Sequence, residues 1–204
     1  MEFRPPHNGL ASVEPANDHS IAATPLTAST APQARTPRPM TLPSFDISPI
    51  QLAPIRATER RATKILSILD PDQDCPAFEA DHHILRFHDV EQREVGSDWV
   101  EPPTQEHVAS IISFARTLNP DDRVLVHCAM GVSRSPAAVL IMVATLTRSP
   151  HAAVGELARI IPCGSYEPNR LMIRLADGQL QMGGALVRHI PHCHRLAPDP
   201  NDIW

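Results

Sequence analysis

The chain has 204 residues, 18 basic and 23 acidic, for a formal net charge of -5, with four cysteines, 22 prolines and 42% hydrophobic residues. That length fits one domain with an appended segment. The acidic balance argues against a nucleic-acid binder or a binder of anionic membranes, both of which need a basic field, and no run of about 18 apolar residues is present to span a bilayer.

Ten of the prolines fall in residues 1–54, and the stretch to about Thr41 mixes Pro, Ala, Ser and Thr without an amphipathic period. Residues 1–44 therefore read as a disordered extension. No apolar core of a secretory signal follows Met1. Together with the sparse cysteines, this makes reduced thiols and a cytoplasmic location the expectation.

Order is expected from Phe45. Phe45–Ile50 reads as a strand, Ala53–Thr63 as a short helix, Lys64–Leu69 and His83–Phe87 as strands. Pro103–Leu118 repeats apolar residues at Val108, Ile111, Ile112, Ala115 and Leu118, a helical period. Asn119-Pro120-Asp121-Asp122 is a turn cluster, and Arg123–His127 is a β-branched apolar run typical of a buried strand. Pro136–Thr147 is apolar on nearly every face, as in a central buried helix. Ala152–Ile161 and Asn169–Leu180 complete the helices, and residues 181–204 read as a C-terminal tail. Strands alternating with helices give an α/β class with a central, mostly parallel sheet flanked by helices.

Residues 124–137, VLVHCAMGVSRSPA, concentrate the chemistry. A buried strand delivers Cys128 to the carboxyl edge of the sheet, where open α/β sheets bind ligands. The loop Ala129, Met130, Gly131, Val132, Ser133, Arg134 then runs into a helix N-terminus, whose unpaired N–H groups can converge on an anion. Gly131 permits a turn that a Cβ would resist. Arg134 supplies a planar fork matched to two phosphate oxygens. The same positive environment favours a thiolate at Cys128.

His127-Cys128-x5-Arg134-Ser135 resembles the signature of the protein tyrosine phosphatase superfamily, most closely its dual-specificity branch. The similarity covers about residues 45–180, and the Pro168-Asn169 pair adds to it. The resemblance implies a protein tyrosine phosphatase-like fold and a two-step reaction without metal or other cofactor. Cys128 is then the nucleophile that becomes phosphocysteine. Residues 129–134 are the phosphate-binding loop, with Arg134 on the equatorial oxygens. Ser135 helps the sulfur leave, His127 orients the loop, and Asn169 braces it. The family's general acid is an aspartate on a loop before the cysteine. Asp89, 39 residues ahead and directly after a strand, is favoured; Asp98, 30 ahead, stays as the alternative. Some relatives pair the nucleophile with a second cysteine, for which Cys75 is the candidate, an inert surface thiol being the other reading.

None of Ala129, Met130, Val132 or Ser133 is basic, so the loop lacks the lysines that relatives acting on phosphoinositides or inositol polyphosphates carry. The substrate implied is a phosphoprotein or phosphopeptide bearing phosphotyrosine, with phosphoserine and phosphothreonine as further candidates. The scarcity of aromatics, with Tyr166 the lone tyrosine, argues against a pocket built narrowly for phosphotyrosine. Alternatives are a phosphoinositide or inositol-phosphate phosphatase of the same mechanism, a non-catalytic phosphoprotein-binding pseudophosphatase, and, least favoured, a rhodanese-like sulfurtransferase. Outside this segment, His189, His192, Cys193 and His194 are metal-ligand types at close spacing, but without a second pair nearby they read as a solvated tail. Arg60-Arg61 reads as a solvated helix face.

Overall fold

The computed structural model describes residues 41–91, 99–162 and 164–190. Four parallel strands form one sheet: β1 (Ser44–Pro49), β2 (Lys64–Leu69), β3 (Asp81–Arg86) and β4 (Arg123–Cys128), in the order β1-β4-β2-β3. β4 inserts between β1 and β2, with Phe45 opposite Val124 on one side and Leu66 opposite Val126 on the other. The segment leaving β4 is thus flanked by two neighbouring strand ends.

The central strands β2 and β4 alternate between two buried faces. On one, Ile65 and Leu125 pack with Ala53 from helix α1 (Ala53–Glu59). On the other, Leu66, Ile68, Val124 and Val126 join the main core with α2 (Gln105–Arg116), α3 (Arg134–Thr147), α4 (Pro150–Ile160) and α5 (Arg170–Gln179). Helix α3 is the hub: Arg134 through Ala144 are all buried. An all-apolar helix can be stable in water only when enclosed in this way.

Helix boundaries differ from the sequence reading where the backbone turns left-handed or a side chain caps. α1 ends at Glu59, four residues before the expected Thr63, because Arg61 takes φ 49 and reverses the chain into β2. Arg60-Arg61 is tied down accordingly: Arg60 Nε donates to Asp46 Oδ2 at 2.9 Å, and the Arg61 carbonyl accepts from Arg123 Nε at 2.6 Å. α2 begins one residue after Thr104, whose hydroxyl accepts from His107 N while His107 Nδ1 accepts from Thr104 N. This reciprocal cap offsets two orphan donors of the helix start. β3 starts at Asp81, two residues early, where Asp81 pairs with Lys64 across the β2–β3 register.

The tail boundary at residue 180 needs correction. Helix α6 (Ala185–His189) follows, with Leu186 and Ile190 buried in the main core. Its start is held by Asp177, whose carboxylate accepts from the N–H groups of Gly184 (2.6 Å), Leu186 (2.7 Å) and Val187 (3.4 Å). A buried carboxylate is tolerated when so bonded.

Candidate active site

Cys128 is the last residue of β4 and only 2% exposed. The chain then turns through Ala129–Ser133 and enters α3 at Arg134. The turn depends on Gly131, which has φ +71 and lies where an added Cβ would meet the Ser48 carbonyl carbon at 3.0 Å and Pro49 N at 3.1 Å. Both the dihedral and the close approach of two backbones exclude a side chain there. The result aims a main-chain donor at the thiol: Gly131 N–H lies 3.3 Å from Cys128 Sγ.

Main-chain bonds fix the rest of the loop. Ile50 N donates to Ala129 O at 3.3 Å, Glu167 N to Val132 O at 2.9 Å and Asn169 N to Ser133 O at 3.3 Å. Met130 projects outward and is 70% exposed.

Arg134 has a buried side chain. Its Nη1 donates to Asp70 Oδ1 at 2.8 Å and to the Phe87 carbonyl at 2.7 Å. Its Nε is 3.7 Å from Asp89 Oδ2 and, among the described residues, has no hydrogen-bond partner, and Ser135 Oγ likewise has none there. Buried polar groups are costly to leave unpaired. These two sit on the first two residues of α3, where an anion would also meet the helix dipole.

Asp89 joins this cluster from the segment after β3. Its Oδ1 accepts from Ser133 Oγ at 2.7 Å and from Asn169 Nδ2 at 2.9 Å. Asn169 also caps α5 by accepting from Met172 N at 3.0 Å. Through its side-chain amide and its main-chain N–H, buried Asn169 therefore ties together the cysteine loop, the Asp89 segment and the start of α5.

Solved structures share this arrangement of sheet and helices. The human tyrosine phosphatase-like serine/threonine/tyrosine-interacting protein gives a TM-score of 0.53 at 18% identity, over 71% of this chain and 95% of that one. Human DUSP28 gives 0.52 at 15% identity, over 74% and 98%. A mouse putative dual specificity phosphatase complexed with zinc tungstate gives 0.50 at 18%, over 80% and 99%. The chain has a dual-specificity phosphatase fold. No family model and no curated sequence matches it, so the likeness is one of structure.

Within this phosphatase fold, Cys128, residues 129–134, Ser135, Asp89 and Asn169 lie in one cluster. Asp98 lies outside the described residues, as do His192, Cys193 and His194. Among the described residues no group of three His, Cys, Asp or Glu side chains is arranged to hold a metal, and His189 instead stacks edge-on against His151. No helix among them is long and apolar enough to cross a membrane. Cys75 and Cys128 are free thiols, and Cys75 Sγ faces the Pro76 carbonyl and His82. Tyr166 is buried in the main core.

Two partners escaped the sequence reading. Asp70, which holds Arg134, directly follows β2, and nothing local in the sequence pairs it with an arginine 64 positions on. Ser67 is the other. It sits mid-strand in an apolar run, fully buried, and bonds His127 Nε2. A buried serine inside a strand was the available signal, because buried hydroxyls need partners.

His127 is fully buried at the back of the phosphatase-fold loop. Burial, with a smaller contribution from nearby His82, pushes it down from 6.5 to about 4. The neutral ring is thus the native form. A depressed imidazole contributes stability above the unfolded value and loses it as pH falls toward the folded one. Between pH 6.5 and 4 this group alone is expected to remove about 3 kcal/mol. Urea unfolding of wild type and His127→Asn across that range checks this: the variant should show a flatter decline, and equal slopes would refute it.

Proposed function

We propose that the chain is a cysteine-dependent phosphatase that hydrolyses phosphotyrosine monoesters in proteins or peptides, with phosphoserine and phosphothreonine as further substrates. The observation that carries this reading is the Gly131 N–H directed at the Cys128 sulfur, in the same turn that brings Arg134 to the base of the loop.

Cys128 thiolate attacks phosphorus in line. The Sγ–P bond forms as the bond to the leaving oxygen breaks, and Asp89 delivers a proton to that oxygen. Loop amides, the N-terminus of α3 and Arg134 hold the three equatorial oxygens, where charge is greatest in the transition state. Water, deprotonated by Asp89, then releases phosphate. Ser135 donates its free hydroxyl to the departing sulfur. Asn169 keeps Asp89 at the mouth of the loop while fixing Ser133.

Several features support a substrate with a single phosphate. Ala129, Met130, Val132 and Ser133 bring no positive charge for a second one, and the net charge of -5 disfavours anionic lipid surfaces. The tungstate bound to the mouse relative is a tetrahedral oxyanion, which is in keeping with an oxyanion site in this fold. The human relative called phosphatase-like and interacting keeps phosphoprotein binding without turnover as the second reading.

Hydrolysis of p-nitrophenyl phosphate across pH tests the proposal. Wild type is expected to give a bell-shaped profile, and Asp89→Asn to lose the basic limb with about a 10²-fold drop at the optimum. An unchanged profile in the variant transfers the acid role to Asp98. No turnover in wild type leaves binding as the function.

A further inference from the structure

Behind the cysteine loop, on the α1 side of the sheet, three polar side chains from adjacent strands form a line. Ser67 of β2 stands in the middle. Its Oγ is 2.6 Å from Nε2 of His82 in β3 and is bonded on its other side to Nε2 of His127 in β4. Phe78 closes the line, with its ring centroid 4.8 Å from that of His82 and 5.5 Å from that of His127. Ser67 and His127 are fully buried; His82 is half-buried.

A hydroxyl has one hydrogen. Two imidazole nitrogens bonded to it cannot both accept, and were both to donate, the buried hydroxyl's own hydrogen would be left unpaired, so one donates to Ser67 and the other accepts from it. The line therefore has two proton arrangements. In one, His82 Nε2–H donates to Ser67, Ser67 donates to His127 Nε2, and His127 carries its hydrogen on Nδ1. In the other, every hydrogen bond is reversed and His127 Nδ1 is a bare lone pair. His127 Nδ1 is buried, has no partner among the described residues, and is the ring nitrogen closer to the main chain that leads into Cys128. A donor there and a lone pair there present opposite dipoles to the base of the loop.

We propose that His82 and Ser67 are positioning residues that select the tautomer of His127, and that protonation of His82 locks the Nδ1–H form behind the reactive thiol. Protonated His82 has Nε2–H fixed as a donor, which leaves Ser67 a single way to point. His82 takes its proton before His127 because it is less enclosed. The surroundings permit this. In β3, His83 turns to the opposite face and bonds Ser110 of α2; burial, with a smaller contribution from neighbouring His83, holds His82 below the usual imidazole range. Asp81 is engaged by Lys64 at the start of the two strands. From the connection after β2, Cys75 Sγ lies 3.9 Å from His82 Nε2, too far to displace Ser67. From α1 the described contacts on this face are alanines 53 and 57.

The proposal rests on Cys128 being the reactive thiol, and its test is independent of turnover. In full-length protein labelled with ¹⁵N-histidine, the ring nitrogens of His127 are expected to shift to the Nδ1–H pattern as His82 titrates, while His127 stays neutral. Ser67→Ala is expected to abolish that response and Ser67→Thr to restore it. The pH midpoint of Cys128 alkylation by iodoacetamide is expected to move by about half a unit in Ser67→Ala. Should Ser67→Ala not fold, His82→Phe keeps a ring against Phe78 and removes both nitrogens, and should give a pH-independent His127 tautomer. His127 resonances that ignore the His82 titration, or that follow it equally in Ser67→Ala, overturn the relay. Coupled resonances in a protein with no aryl phosphatase activity support the relay and overturn the hydrolase reading instead.

Discussion

Cys128→Ser is expected to lower kcat for p-nitrophenyl phosphate by at least about 10⁴-fold while leaving the fold and oxyanion binding in place. The replacement exchanges the sulfur for a smaller oxygen and stays polar, and the Gly131 N–H that lay 3.3 Å from the sulfur can bond the new oxygen. What is lost is a sulfur that can attack as a thiolate and leave again as one. A serine oxygen lacks both properties, so the covalent step and its reversal fail together. Loss of the thiolate charge also removes repulsion toward an anionic ligand. Tungstate binding by calorimetry should therefore be equal or tighter in the variant, and a phosphorylated Cys128 should be trapped by acid quench from wild type alone. A serine variant that turns over substrate would remove Cys128 from the chemistry.

Arg134→Lys is expected to cost about 10³-fold in kcat with little change in thermal stability. Lysine keeps the charge and much of the buried stem, and its ammonium can still reach Asp70 or the Phe87 carbonyl, which Arg134 now engages at 2.8 and 2.7 Å. It cannot offer two parallel N–H groups to two phosphate oxygens. A guanidinium whose Nη1 is already held by Asp70 keeps its Nε free for an incoming anion. On the proposed reading, Asp70 sets the angle of the fork that receives the phosphate. A lysine variant within tenfold of wild type would mean that Arg134 serves as a point charge only.

Sequence legibility followed distance along the chain. The strand, turn and helix of residues 124–137 were readable because every part of that device is contiguous, and the residue types are dictated locally: an apolar run, a glycine, a basic residue, then a helix. Asp89 was reachable because it follows a strand. The bonds that give Asp89 its place, from Ser133 and Asn169, span 44 and 80 positions, and Asp70 meets Arg134 across 64. No periodicity encodes such pairings; they arise from strand order, which sets β4 beside both β1 and β2. The misplaced end of the domain has a similar cause. In residues 181–190 a Gly-Gly pair is followed by an apolar stretch too short to declare a helix, and their order comes from Asp177 bonding three N–H groups that only the folded chain assembles. His127 was expected to orient the loop, but its own support by Ser67 comes from a neighbouring strand.

The cysteine loop is anchored almost wholly through main-chain atoms: Ile50 N to Ala129 O, Glu167 N to Val132 O, Asn169 N to Ser133 O, and Gly131 against the backbone of Ser48 and Pro49. The side chains of Ala129, Met130 and Val132 carry none of that load. They are therefore open to replacement without disturbing the cradle. Selectivity in this scaffold can be rewritten at three positions by drift or by design: a lysine at Met130 or Ala129 would invite a second phosphate, and a larger apolar group at Val132 would narrow the range of esters admitted.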